Sequence, residues 1–464
     1  MEQKKHIVVI GGGPGGYPAA IKAAQLGADV TLIDRNGLGG TCLHRGCIPT
    51  KYLLKAAKEY ETVVKYLKKS GGSDAPAPDL TTIMKEKLSI VDRLAGGTAM
   101  LLKNNGVRVI SGTATFLDPK QIRIEETGEV ITGSAFIIAT GSDSVTPPVE
   151  GIDSKGVFDS SKILELEKMP ASLAVVGGGY IGLEFAQIYQ MFGTQVTVIE
   201  MMPHILPEAD MEVSSAMQKI LSSHGVKIHT GSRLKSINQV KKNLRLVYEK
   251  DQKTEEIDAE NVLVAVGRKP RVEGLGLESV GVRINDRGAI DVNAYLETSV
   301  PGIYAVGDVA GGMMLAHKAT AEGETAAVNI VSRPCEMSYS VVPSVMYTHP
   351  EMASVGLSEA EAKDKYGEVL VGRFPLAANG RAVLSGAQQG FVKVIAELET
   401  EIVVGASFIC PEAGHLVGEA ALAIKMEATL DDIAETIHAH PTLSEAFREA
   451  VLDTKGEAIH LPPG

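Results

Sequence analysis

The sequence predicts an α/β chain with two parallel-sheet units and a C-terminal α+β domain, and three observations predict it. HIVVIGGGPGG, running through ADVTLIDR, has a second copy in SLAVVGGGYIG, running through TQVTVIE. In each copy an apolar strand meets a glycine turn, a helical stretch follows, and a second strand ends on an acid, which is the pattern of a βαβ unit. The gauge of the two copies is also the same, because the first glycine and the terminal acid lie 23 residues apart in both (11 to 34, 177 to 200). Beyond about residue 342 strand and helix patterns continue without a nucleotide motif. With 464 residues the chain exceeds one ordinary core, and roughly 150 residues per domain predicts about three.

Taken in chain order, residues 51 to 69 carry apolar positions at helical spacing, SGGSDAPAPD at 70 to 79 has loop composition, and 80 to 105 is again helical. Short strands then lead to FIIATGS at 136 to 142. A long alternating stretch from 226 to 265 runs into NVLVAVGRKP, and YAVGDVAGG follows at 304 to 312. The expected division is 1–148 and 271–341 for one dinucleotide unit, 149–270 for the other, and 342–464 for the C-terminal domain.

Composition narrows function by exclusion. A net charge of −12 with no basic stripe excludes a nucleic-acid binder, and no apolar run approaches the ~18 residues that span a bilayer. The start, MEQKKHIVVIGGG, reads as a buried strand rather than a leader. A cytoplasmic, reducing location is therefore expected, where a disulfide is usually catalytic or sensing.

Gly11, Gly13 and Gly16 fit G-x-G-x-x-G directly after a strand, as do Gly177, Gly179 and Gly182. The first glycine of such a set allows the tight turn, the second lets a pyrophosphate approach the backbone, and the third allows close helix packing. Asp34 and Glu200 end the following strands, where a carboxylate suits a ribose diol. A carboxylate at 200 repels a 2′-phosphate, and Met201, Met202 and Pro203 bring no arginine to reverse that, so the second site is expected to prefer NAD to NADP. Pro18, near the start of the first helix, is tolerable only within the first turn.

GGTCLHRGCIPTK at 39 to 51 holds Cys42 and Cys47 five residues apart. In a regular helix such positions have Cα atoms about 8 to 9 Å apart, whereas a disulfide needs less than ~7 Å. A bridge there requires an irregular turn, which Gly46 and Pro49 favour. Cys335 and Cys410 have no partner at useful spacing and read as apolar fillers or bystanders.

These two units, with GGTCLHRGCIPTK, ATGS (139 to 142), AVGRKP (265 to 270), YAVGDVA (304 to 310) and HAHPTLSE (438 to 445), resemble the flavin-dependent pyridine-nucleotide disulfide oxidoreductases. The resemblance covers nearly the whole length in the family's order. It is strongest to the members that oxidise protein-bound dihydrolipoyl groups with NAD. The resemblance implies FAD on the first unit, NAD on the second, a homodimer formed through the C-terminal domain, and a lipoyl-bearing partner from a 2-oxo acid dehydrogenase or glycine cleavage complex. No metal, nucleic acid or membrane is implied.

Residue by residue, the resemblance makes Cys42 the thiol that exchanges with the lipoyl disulfide and Cys47 the thiol nearest the flavin. Lys51 matches a lysine at the flavin N5, with Glu184 as its partner. His440 and Glu445 match an acid–base dyad that reaches the disulfide from the other subunit. His438 competes for that role and ranks lower because His440 directly precedes the Pro-Thr of the motif. The implied dinucleotide contacts are the six fingerprint glycines with Asp34, Arg35 and Glu200; Gly40 and Thr41 beside the cysteines, with Lys51 again; Gly112; Thr140, Gly141 and Ser142; Val266, Gly267 and Arg268; and Gly307, Asp308, Met314, Leu315, Ala316 and His317. The rivals are another disulfide or metal reductase of the same fold, or a subunit that keeps FAD without turnover. Within the motif, His44 and Arg45 stand where the most familiar members carry Asn-Val, although His-Arg variants belong to the same family pattern, and Arg45 is positioned to lower a thiol pKa.

Overall fold

The computed structural model describes residues 4–72 and 76–462, so positions 73–75 of the expected 70–79 loop lie outside the described residues. The first glycine turn sits between the strand His6–Ile10 and α1 (Gly16–Gln25). Pro18 occupies the third position of α1, where its missing N–H is one of those left unpaired at any helix start. Five parallel strands form this sheet, in the order Ile303–Ala305, Ala135–Ile138, His6–Ile10, Asp29–Asp34, Arg108–Ser111. Strands such as IVVI and FII are buried along their length, as a parallel sheet covered on both faces requires. The edge strand comes from YAVGDVA, so the chain returns here after building the second sheet.

Between the second and third strands lie α2 (Gly40–Arg45), α3 (Cys47–Lys69) and α4 (Leu80–Asn104). Asp79 caps α4, its side chain accepting the Thr82 N–H at 3.2 Å. The second sheet follows the same plan, with parallel order Val157–Phe158, Asn261–Val264, Ser172–Val176, Gln195–Ile199, Lys227–His229. Its turn leads into α5 (Tyr180–Met191), and α6 (Met211–Ser223) starts on the Asp210 cap. The long alternating stretch becomes an antiparallel meander of Ser232–Val240, Asn243–Lys250 and Lys253–Ala259.

The C-terminal domain is a five-stranded antiparallel sheet, Ser344–Met346, Glu351–Gly356, Val403–Cys410, Phe391–Glu397, Val369–Pro375. The helices Ala413–Lys425 and Glu445–Asp453 pack on it around Phe374, Phe408 and Phe447. One hydrophobic core crosses the units. Leu53, Leu54 and Ala57 of α3 pack with Leu183 and Phe185 of α5 and with Met346 and Met352 of the C-terminal sheet. Burial of this shared surface fixes α3 against α5 and brings three distant stretches of sequence to one place.

Candidate active site

The two glycine turns explain their residues in different ways. Gly11 has φ +107° and Gly177 φ +112°, a backbone region that glycine enters freely. A Cβ on Gly16 would lie 1.8 Å from the Gly11 carbonyl oxygen, and one on Gly182 would lie 2.1 Å from that of Gly177. Those glycines are demanded by the protein itself. The middle glycines are not: a Cβ on Gly13 would find only Gly40 Cα at 3.8 Å, and one on Gly179 would meet nothing within 4 Å. Each middle position opens onto space at a helix N-terminus, the place where a pyrophosphate approaches the backbone.

The terminal acids have a second task that sequence reasoning did not find. Asp34 Oδ2 accepts the Gly12 N–H at 2.7 Å and Oδ1 accepts that of Asn36, also at 2.7 Å. Glu200 accepts the N–H groups of Gly178 (2.5 Å) and Met202 (2.6 Å). Each carboxylate thus braces its own glycine turn, with lone pairs remaining for a ribose.

Both turns open onto one cavity of about 2010 Å³, about twice the upper size of an ordinary ligand pocket. Cys42, Cys47, Lys51, Glu184, Thr140 to Ser142, Val266 to Arg268, Gly307, Asp308 and Met314 to His317 all line it, as do Gly40 and Thr41. Four of the expected contact residues do not. Gly16 and Gly182 lie behind the turns, and Arg35 stands near Glu126. Gly112 donates to the Asp34 carbonyl and faces Ile124 and Glu126.

Cys42 and Cys47 form a disulfide with Cα atoms 4.7 Å apart. The approach is possible because α2 ends at Arg45 and α3 begins at Cys47, with Gly46 (φ −147°, ψ −113°) as the break. A Cβ on Gly46 would lie 2.9 Å from the Thr41 carbonyl oxygen, which explains the residue type. Pro49, at the third position of α3, needs no donor there. His44 turns away, its Nε2 hydrogen-bonding the Leu38 carbonyl at 2.9 Å, whereas Arg45 lines the cavity.

One turn beyond Cys47, Lys51 Nζ donates to Glu184 Oε2 at 2.7 Å and to Oε1 at 2.9 Å. Glu184 is 4% exposed, so this is a partly buried pair and not an ordinary surface one. A ladder unseen in the sequence joins the two units at the same cavity, where Ser142–Ser144 pairs antiparallel with Arg268–Pro270. Through it Arg268 Nε reaches Ser142 Oγ at 2.8 Å, and that hydroxyl donates to Asp308 at 2.5 Å. Burial lowers the Arg268 pKa, opposed by the charges of Asp308 and Asp143.

His440 lies elsewhere. Its Nδ1 meets Glu445 Oε1 at 2.9 Å, and Glu445 Oε2 accepts the Thr442 N–H at 2.8 Å. Burial opposes the Glu445 charge, but donation by Thr442 and by the imidazole outweighs it and holds the carboxyl below its ordinary pKa. The His440 side chain is 78% exposed and its Nε2 has no partner among the described residues, whereas that of His438 is 6% exposed and has both nitrogens engaged, with Thr436 and Glu419. Within one chain the dyad faces a separate hollow with Asn379 and Arg448 and does not line the disulfide cavity.

Residues 5–323 match the family model described as pyridine nucleotide-disulphide oxidoreductase, and 342–451 match that family's dimerisation domain. The chain belongs to the pyridine nucleotide-disulphide oxidoreductases. A dihydrolipoyl dehydrogenase of Thermus scotoductus is 44% identical, covering 98% of each chain, and one of Bacillus subtilis is 41% identical over 98% of this chain and 99% of its own. Among solved structures, LpdA of Mycobacterium tuberculosis superposes with a TM-score of 0.88 at 26% identity, covering 96% of this chain and 99% of its own. The HOCl-induced flavoprotein disulfide reductase RclA of Escherichia coli gives 0.86 at 27%, covering 96% and 99%.

Family membership accounts for the doubled cavity. FAD and NAD, the cofactors of these oxidoreductases, fit the paired openings at Gly13 and Gly179 and the braced acids Asp34 and Glu200. The exposed dyad stands on the dimerisation domain, whose outer surface also leaves Leu384, Met426 and Ile437 exposed. Among the described residues no helix is long and apolar enough to cross a membrane, and no group of three or more His, Cys, Asp or Glu could hold a metal ion.

Proposed function

We propose that the chain is a cytoplasmic dihydrolipoyl dehydrogenase working as a homodimer. The observation that carries this is the Cys42–Cys47 disulfide sharing one cavity with both glycine turns and the Lys51–Glu184 pair. A dihydrolipoyl thiolate attacks Cys42 Sγ and Cys47 leaves as a thiolate. The second substrate sulfur then displaces Cys42, so the lipoyl disulfide forms as the protein disulfide becomes a dithiol. His440 of the second copy, its tautomer held by Glu445, takes the substrate proton through the free Nε2. Bound FAD supplies the two-electron relay between the dithiol and NAD⁺. Closing the Cys42–Cys47 bond again releases two electrons and two protons; NAD⁺ takes a hydride and one proton leaves.

Gly11, Gly13 and Asp34 would hold the FAD pyrophosphate and ribose, with Gly16 shaping the turn from behind and Asp308 fixed by Ser142 on the ribityl side. Gly177, Gly179 and Glu200 would hold NAD, with Gly182 shaping that turn from behind. The names of the relatives support a dihydrolipoyl group as substrate, and its carrier in this reading is the lipoyl arm of a 2-oxo acid dehydrogenase or glycine cleavage complex. The test is a panel of the purified yellow protein with NAD⁺ or NADP⁺, against dihydrolipoamide and reduced glutathione. Oxidation of dihydrolipoamide with NAD⁺ is expected; activity with glutathione alone would overturn the reading.

A further inference from the structure

Glu184 and Gln187 lie one turn apart on α5, at 4% and 1% exposure. Both address the same short stretch of the C-terminal domain. Glu184 Oε1 accepts the Tyr347 N–H at 2.9 Å. The Gln187 carboxamide accepts the His349 N–H at 2.5 Å and donates to the His349 carbonyl at 2.7 Å, pairing with that residue as a neighbouring strand would. The backbone from Tyr347 to His349 is therefore locked to the helix that carries Glu184.

This lock aims a side chain. Lys51 Nζ stands 4.7 Å from the centroid of the Tyr347 ring, inside the range of a cation–π contact. The ring also touches Gly414 at the start of the Ala413–Lys425 helix, where an added Cβ would lie 3.4 Å from ring Cε1. An ammonium has three N–H donors, and two of them are engaged by the Glu184 oxygens. Tyr347 covers another side of the cation without accepting the third proton in an ordinary hydrogen bond. Burial raises the Tyr347 phenol above its ordinary pKa. Lys51, Glu184 and Tyr347 all line the cavity.

We propose that Tyr347 is a positioning residue of the redox site, holding the Lys51 ammonium against Glu184 with its third N–H directed into the cavity. This rests on the reading that the cavity takes FAD with Lys51 beside the flavin ring. A lysine on a flexible four-carbon stem would otherwise be placed by one carboxylate alone, in competition with water. A cation held beside the ring favours arrival of an electron pair there, and a loosened cation does so less. The dimerisation domain thus contributes directly to the redox site of its own chain.

The test compares Tyr347→Leu with Tyr347→Phe in the FAD-loaded dimer. Two quantities are read: the flavin midpoint potential by dye equilibration, and the rate of flavin bleaching by NADH in stopped flow. Tyr347→Leu is expected to shift the potential to more negative values and to slow bleaching about fivefold to tenfold, within the range of a partly desolvated cation–π contact. Tyr347→Phe keeps the ring face and is expected to recover at least about half of the native rate by the same contact. In a Lys51→Met background the leucine change should add less than about twofold, since no cation remains to be held. If Tyr347→Leu is isolated without flavin, Tyr347→Met fills the same space and carries the same expectation. Equal slowing in both backgrounds, or an unmoved potential and rate, would overturn the proposal. A native protein whose flavin NADH does not bleach would instead overturn the functional reading, so the two failures are distinct.

Discussion

Set side by side, the sheet around His6–Ile10 and the sheet around Ser172–Val176 match in four of their five parallel strands. In both, the strand that follows a three-stranded meander lies beside the first of the four, and a glycine turn is braced by the acid of the next strand; the outermost strand beside them is Ile303–Ala305, after the others in sequence, in one sheet and Val157–Phe158, before the others, in the second. They differ in what lies between the second and third strands. The first unit places α2, α3 and α4 there, with the disulfide at the α2–α3 break. The second places α6, whose start is tied to the C-terminal domain by Lys393, a buried lysine contacting Asp210, Glu212 and Glu359 at 3.0, 3.0 and 2.8 Å. The shared parts hold dinucleotides, and the unshared inserts supply chemistry in one unit and anchoring in the other.

Cys47→Ser breaks the comparison most. It should lower lipoyl-dependent NADH formation at least about a thousandfold, the scale on which losing one member of a catalytic unit acts. Both cradles stay intact, so NADH-driven reduction of an artificial electron acceptor should persist; loss of that activity too would show that the insert also shapes the cradles. Adding a methyl at each middle glycine separates the two units. Gly13→Ala should yield protein depleted of flavin, whereas Gly179→Ala should keep its yellow colour and raise the KM for NAD⁺ about tenfold, equivalent to about 1.4 kcal/mol. Flavin content by absorbance and a KM series decide this, and identical behaviour of the two variants would contradict separate sites.

The smallest effect concerns the anchor. Lys363 and Lys393 donate to Glu359 and hold its carboxyl down to about 2. A depressed native pKa contributes stability above the unfolded value, and that stability is lost as pH falls from about 4.3 towards 2. Glu359→Gln should therefore melt at a lower temperature than the native chain at pH 7, a loss of about 1 kcal/mol for a half-buried carboxylate that solvent still partly screens. The gap should hold to about pH 5 and close progressively as pH falls towards 2. A gap unchanged at pH 3 would show that Glu359 acts through packing rather than charge.

Much of this was legible in one dimension. The repeated gauge from Gly11 to Asp34 and from Gly177 to Glu200 reports a local βαβ geometry, set by turn sterics and helix packing within about 25 residues. The irregular turn between Cys42 and Cys47 also follows from local distances, and Gly46 is its hinge. Other features had no such signal. Nothing local says that Ser142–Ser144 pairs with Arg268–Pro270, that the chain returns to add Ile303–Ala305 to the first sheet, or that Tyr347 covers Lys51. Gly112 shows the converse, because its surroundings are set by the meander and not by the cavity.

By itself the sequence determined the two dinucleotide cradles, the reducible cysteine pair and the family, because each is written in a run of neighbouring residues whose chain geometry dictates its use. Only the tertiary structure decided that α3 lies against α5, that the partner of Lys51, Glu184, also binds the Tyr347 backbone, and that His440 keeps an exposed nitrogen while both nitrogens of His438 are engaged. Those outcomes depend on which apolar faces bury against one another across hundreds of residues, and burial is a property of the assembled core rather than of any one segment.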